Sequence, residues 1–316
     1  MDPAVLQKHQ NDFVKIVDKC ISVWEDTLTV MPEYKGVPSM FEAEKTPVIP
    51  AGRPSKVLVK SHEQLNIAAK LANLSTRVLL VTPGCNTNRG GGVQSGGQSF
   101  EADICRRSNY WNALRKVPRD AWPRKPGMMI LFPGVCVFKD ENCQPCKPYS
   151  VDVLSVVMPR SPGEIIVEGA AMYEKDSDRD MTRRCISTIM KLGIGYDTVV
   201  LNRICMNPTP HPIDDYIQIL QEFLPKSGVQ VVWVLANSGT TTGNGKSARF
   251  TYKKLCKRVH NVSVDHSDCD SPEDEYDDKR PDQINQVDSD NESKFIRRTD
   301  ILKQMLQEAQ DNAAAQ

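Results

Sequence analysis

No stretch of the chain approaches the roughly 20 consecutive apolar residues that cross a bilayer, so a membrane-spanning helix is not expected. The opening residues, MDPAVLQKHQNDF, lack the apolar core of a secretory signal. Charge of one sign is not in excess either: 40 Lys+Arg face 40 Asp+Glu, which removes any global attraction to nucleic acid or an anionic membrane. The ten cysteines show no disulfide or zinc framework. A single CxxC, Cys143-Gln144-Pro145-Cys146, has Cys136 upstream but neither a second pair nor a nearby His, so reduced thiols are expected and no metal. Without a signal's apolar core or a membrane span, an intracellular, reducing compartment, cytoplasmic or nuclear, is the default expectation, and free thiols fit it. What is present is ordinary globular material. The 316 residues are 40% hydrophobic and 25% charged, enough to bury a sizeable core.

Hydrophobic periodicity divides the chain. Residues 4 to 31 carry Val5, Leu6, Phe13, Ile16, Val17, Cys20, Ile21, Trp24 and Leu28 mainly on one helical face, predicting a helix packed on a core. Residues 32 to 55 are rich in Pro and Gly and read as irregular, with short edge strands at most. Ser61, with Gln64 three residues on, reads as a capping box before an alanine-rich helix ending at Leu74. Strands are predicted near residues 78, 129, 135, 153, 199 and 231, and helices from about Glu101, over Asp178–Leu192 and over Ile213–Leu224. This alternation predicts an α/β fold of three layers, α/β/α, around a mixed central sheet.

Between the strand Val78–Val81 and the helix near Glu101 lies the loop TPGCNTNRGGGVQSGGQSF, with Gly90, Gly91, Gly92, Gly96 and Gly97 crowded together. Glycine permits left-handed backbone and close approach, and a following helix N-terminus adds a positive dipole end. Two readings stand on composition alone: a cradle of N–H groups for a phosphate, or a long flexible connection.

Gly90-Gly91-Gly92-Val93, then Glu101, then Ile104-Cys105-Arg106-Arg107-Ser108 resembles the signature of microbial-type poly(ADP-ribose) glycohydrolases, of the macrodomain superfamily. That signature runs Gly-Gly-Gly, a spacer, Gln-Glu-Glu, and a helix with Cys/Phe-Arg-Arg-Ser. Asp26-Thr27-Leu28, Phe132–Asp140 and Val151-Asp152-Val153-Leu154-Ser155 resemble further family segments in the same order, so the resemblance spans about residues 14 to 236. It implies an ADP-ribose cleft in which Gly90, Gly91, Gly92, Val93, Gly96 and Gly97 wrap the diphosphate and distal ribose. Asn86, or alternatively Asn88, would contact that ribose. The partner implied is ADP-ribose or an ADP-ribosylated protein, and no cofactor is implied. The family's second signature Glu protonates the leaving oxygen of the ribose–ribose bond and helps water attack an oxocarbenium-like centre.

The sequence departs from this pattern in two places. An ungapped match places Gln-Glu-Glu on Phe100-Glu101-Ala102, so the position that does the chemistry is Ala102, which carries no proton. A one-residue shift of the loop brings Glu101 to the catalytic place but needs a gap before Cys105. The ungapped match is simpler, and recognition of ADP-ribose or its polymer with weakened or lost hydrolysis is the expectation. The alternatives are an active glycohydrolase using Glu101 and a scaffold that keeps only the fold. The family's second phosphate loop, Gly-Ala-aromatic-Gly-Cys-Gly, corresponds here to Asn202–Pro208, which keeps the cysteine and has no glycine; Arg203 would be the replacement charge.

The expected organisation is a helical extension (1–55) packed on the core, a macrodomain-like domain (56–262) and an acidic, largely disordered tail (263–316) with a short terminal helix over Phe295–Ala309. That helix would either bind a partner or dock back on the domain. Gly239–Ser247 nearly spells a nucleotide-binding P-loop, but Thr240 stands where the motif needs Gly, and a loop is expected. Tyr252–His260 concentrates cations; a solvated basic face is expected ahead of a nucleic-acid or polymer contact.

Overall fold

A computed structural model describes residues 3–235 except 49–51, 53, 61, 62, 75, 161, 203–210 and 226, with backbone alone for residues 3–10 and Lys60. The expectations for the second phosphate loop beyond Asn202, for 239–247, for 252–260 and for the acidic tail with its terminal helix lie outside the described residues.

The elements follow as α1 (Pro3–Val30), β1 (Ser39–Glu42), β2 (Lys56–Lys60), α2 (Gln64–Asn73), β3 (Val78–Pro83), α3 (Phe100–Arg107), α4 (Tyr110–Arg115), β4 (Met128–Lys139), β5 (Pro145–Val156), β6 (Glu164–Val167), β7 (Ala170–Tyr173), α5 (Asp176–Gly193), β8 (Thr198–Leu201), α6 (Ile213–Phe223) and β9 (Val231–Leu235). Seven strands form one sheet in the order β1-β4-β5-β3-β8-β9-β2. Pairing is antiparallel for β1–β4 and β4–β5 and parallel from β5 across to β2, the mixed sheet expected.

Strand alternation sorts the core into two sides. Leu79 and Val81 of β3, Val199 and Leu201 of β8, and Val232 and Val234 of β9 face α5 and α6, meeting Ile186, Ile189, Ile217 and Leu220. Val78, Leu80, Val200 and Leu235 face the opposite way, onto Trp24, Leu65, Ile104, Tyr110 and Leu114 from α1 to α4. Parallel strands buried on both faces need continuous apolar runs, which is why VLLV, TVVL and VVWVL were legible. The result is the three-layer α/β/α arrangement.

Several expectations need correction. Within the first 55 residues, the short edge strand allowed for at 32–55 is β1, which joins the sheet as its outer strand beside β4. On α1, the inward line runs through half-buried Val17 and Cys20 to buried Trp24 and Thr27, whereas Phe13, Ile16 and Leu28 stay exposed. Thr27 takes the inward place because its hydroxyl donates to the Arg106 carbonyl (2.6 Å) and accepts from Lys139 Nζ (2.8 Å). The α2 cap is Glu63, whose carboxylate accepts from Leu65 and Asn66 N–H; Ser61, expected to open a capping box, lies outside the described residues.

The helix expected from Glu101 to Leu114 breaks in two. Ser108 adopts extended geometry and bridges to Val137, while Asn109 Oδ1 accepts from Cys136 N–H. The two strands expected at 128–132 and 135–138 are one, β4, with a register shift at Pro133-Gly134. The hairpin β6–β7 escaped sequence reading. It turns through Glu168-Gly169, both with positive φ, and hangs from the N-terminus of α6 by Ala171 N–H to Asp214 and Tyr173 N–H to Asp215.

Candidate functional site

Neighbouring parallel strands β3 and β5 end together, with Pro83 opposite Val156. Beyond that point their chains diverge, β3 into the glycine-rich loop and β5 into residues 157–160. Divergence at the carboxyl ends of parallel strands opens a crevice. Here it is a cleft of about 430 Å³, walled by the 83–87 segment, by Gln98–Glu101 at the start of α3, and by Val156–Met158 with Arg160.

Glu101 lies at the inner end of that cleft and is 1% exposed. Its carboxylate is heavily engaged. Oε2 accepts from Cys85 N–H (3.1 Å), and Oε1 accepts from Ser155 Oγ (3.3 Å), Tyr110 Oη (3.4 Å) and Arg124 Nη2 (3.4 Å). The Arg124 side chain is itself fully buried. It donates Nε and Nη2 to the Cys85 carbonyl and Nη1 to Ser155 Oγ, and its backbone N–H takes the Asn86 carbonyl. One ion pair therefore holds the mouth segment 84–86 against β5 and α3. Gly84 is required there, since a Cβ would overlap Arg124 Nη2 and Ser155 Oγ. Burial pushes the Glu101 carboxyl above its ordinary range; Arg124 and the Cys85, Ser155 and Tyr110 donors pull it back.

Ala102, the other candidate for the signature position, is fully buried among the apolar side chains beneath α3, and only its N–H has a polar task, donating to Ser99 Oγ (3.1 Å). It supplies no acid.

The loop Arg89–Ser95 takes a left-handed turn at Gly90 (φ 70°), Gly91 (φ 60°) and Gly92 (φ 78°), a run that side chains with a Cβ resist. A Cβ on Gly91 would also overlap Ser99 Oγ, the α3 cap, which donates to the Gly91 carbonyl. Several of its amides are committed internally: Gly91 to Asn88 O, Gly96 to Val93 O and Gly97 to Gly92 O. Arg106 Nη1 grips the Gly97 carbonyl at 2.6 Å, and Thr27 holds the Arg106 carbonyl. The Asp-Thr and Arg-Arg residues of the resemblance thus serve as struts behind the loop. Arg107 makes a second strut, pairing with Glu63 and Asp103.

Asn86 and Glu101 line the same cleft, together with Gln98, Ser99 and Arg160. Gly90, Gly91, Gly96 and Gly97 do not line it. Gly92 and Val93 line a second groove on the other side of the loop, as does Asn88. Arg124, Ser155 and Tyr110 were not foreseen. Arg124 sits between Pro123 and Pro126, with no local sign in the sequence that its charge turns inward.

The described residues hold no group of three or more His, Cys, Asp or Glu side chains suited to a metal ion, and no helix long and apolar enough to cross a membrane.

Residues 7–140 match the family "Microbial-type PARG, catalytic domain". No curated protein matches the chain. Among solved structures, the fold is similar to poly(ADP-ribose) glycohydrolase (PARG) from Thermomonospora curvata, at TM-score 0.60 and 16% identity, covering 76% of this chain and 99% of that one. The same enzyme bound to the inhibitor ADP-HPD gives TM-score 0.60 at 18% identity, over 75% and 99% of the two chains. PARG from Deinococcus radiodurans in complex with ADP-ribose gives TM-score 0.55 at 14% identity, over 71% and 95%. In sequence over residues 7–140, and in fold across most of its length, the chain is PARG-like.

Proposed function

We propose that the protein recognises ADP-ribose, or an ADP-ribosylated protein, in the cleft between β3 and β5, and that hydrolysis of the glycosidic bond is weak or lost. The observation that carries the second half is the occupation of Glu101. A general acid must present a proton to the leaving oxygen within hydrogen-bond reach. Here both carboxylate oxygens face protein donors, and one of these is a buried guanidinium. Arginine keeps its charge, so a protonated Glu101 would strand a buried cation. Recognition is supported by the place of the cleft at the carboxyl ends of parallel strands and by the polar groups at its rim. Asn86 serves the distal ribose, and Arg160 supplies charge to a phosphate. In this reading Gly90, Gly91, Gly92, Val93, Gly96 and Gly97 do not touch the ligand but fold the loop that joins the 83–87 and Gln98–Glu101 walls of the site.

A second reading, an active glycohydrolase using Glu101, draws on one specific observation. The carboxyl lies at the cleft and burial raises its proton affinity, which is what an acid at neutral pH requires. Calorimetry with ADP-ribose and an assay for ADP-ribose released from poly(ADP-ribose) separate the readings. Binding lost on Asn86→Ala with negligible release is the expected result. Release abolished by Glu101→Gln would establish the second reading, and absence of binding by the intact chain would leave a scaffold.

A further inference from the structure

On the far side of the glycine loop from the cleft lies the second groove, of about 640 Å³. Its charged lining is of one sign: Arg89, Arg115 and Arg119, with Trp111 and Trp122 beside them and no carboxylate in the wall. Arg89 is held in place. Its guanidinium sits 4.7 Å from the centre of the Trp122 ring, and Nη2 donates to the Val117 carbonyl (2.9 Å) and the Pro118 carbonyl (3.4 Å). Nε and Nη1 of Arg89 have no partner among the described residues. Arg115, in the last turn of α4, and Arg119 are exposed and make no ion pair among the described residues. Partial burial lowers the proton affinity of Arg89, and repulsion from Arg119 and Arg115 lowers it further, as expected of cations crowded together without a counter-charge. Three guanidiniums gathered in one concave place cost free energy that a bound polyanion would offset.

Adjacency narrows the choice of polyanion. Thr87 borders both the cleft and the groove, and the loop that walls one with Asn86 walls the other with Asn88, Gly92 and Val93. We propose that the Arg89–Arg115–Arg119 groove binds the pyrophosphate of the next unit of an ADP-ribose polymer whose terminal unit occupies the cleft. The groove gives the protein a preference for polymer over single ADP-ribose. This rests on the cleft reading for its choice of polymer, while the groove's affinity for the charged backbone is its own. An RNA strand would gain the same charge contacts but nothing from the neighbouring cleft.

The test uses the full chain, wild type and Arg115→Glu/Arg119→Glu, with three probes: fluorescent poly(ADP-ribose), single ADP-ribose and a poly(A) RNA. Both substitutions lie at exposed positions, and Arg115→Gln/Arg119→Gln serves as the milder pair. The expected result is polymer affinity reduced about tenfold or more, a salt dependence shallower by about two phosphate contacts, and single ADP-ribose affinity unchanged. Unchanged polymer affinity in both pairs, with ADP-ribose still bound, would overturn the groove and leave the cleft standing. Failure of ADP-ribose to bind, with polymer binding still dependent on the two arginines, would sink the cleft and keep the groove. Poly(A) bound as tightly as poly(ADP-ribose) would overturn the assignment to an ADP-ribose polymer.

Discussion

Arg124→Met removes one buried charge from behind Glu101 while keeping a long apolar side chain. Arg124 is fully buried and Glu101 nearly so, at 0% and 1% side-chain exposure, and their closest approach is 3.4 Å. Leaving one member of a buried pair uncompensated costs about 3–5 kcal/mol. The 3.4 Å separation is longer than a tight charge-assisted bond, and three of the Glu101 donors survive the change, so the lower end, about 3 kcal/mol, is expected. Glu101→Gln should cost a similar amount by stranding the guanidinium, and the double variant less than the sum of the two.

The loss should also depend on pH. The folded-state pKa of Glu101 is raised by burial, so the folded chain holds this proton more tightly than the unfolded one. The penalty for ionising it is absent below the unfolded pKa and grows as pH rises through the folded value. Without Arg124 the folded value climbs further, so the deficit of Arg124→Met is larger at about pH 8 than at about pH 5. Urea unfolding at both pH values reads this directly. A variant within about 1 kcal/mol of wild type at both would refute the account of a buried ion pair organising the cleft.

Gly91→Ala should destabilise by about 1–2 kcal/mol from its left-handed backbone, with more from the clash with Ser99 Oγ, and should weaken ADP-ribose binding in calorimetry. Thr27→Val keeps the shape but removes the hydroxyl between Arg106 and Lys139; a loss of about 1–3 kcal/mol by chemical denaturation is expected. The His211 ring donates Nε2–H to the Pro159 carbonyl (2.9 Å) and accepts the Tyr173 hydroxyl at Nδ1 (2.6 Å), and burial pushes its pKa down to about 4. Because the unfolded chain takes this proton first, stability falls as pH drops from the ordinary value near 6.5 and levels off below about 4, by about 3 kcal/mol at most. Titration of that ring by NMR near its ordinary value would contradict the burial.

The legible parts of the fold were those in which local pattern and tertiary role coincide. VLLV and TVVL read as buried strands because both sheet faces are covered, so no alternation was needed. Asp178–Leu192 and Ile213–Leu224 read as helices because each buries one continuous stripe. The break between α3 and α4 was illegible, since it depends on Ser108 meeting Val137 and Asn109 meeting Cys136 across 27 or more residues. The orientation of α1 was misjudged for a related reason. Thr27, polar by composition, points inward because Arg106 and Lys139 wait for it, and Phe13 points outward because nothing described covers it.

The candidate site divides along the same line. The amino-acid sequence by itself determined where the tight turn falls, because only glycine adopts three successive left-handed conformations cheaply, and it determined that a helix starts within a few residues of Gly97. It also carried the resemblance to the microbial-type glycohydrolases, in part through residues that prove to be struts of that turn. Only the tertiary structure decided what surrounds Glu101. A carboxylate's chemistry is set by the charges and donors within a few ångströms, and those come from Cys85, Tyr110, Arg124 and Ser155, which are brought to it from separate elements.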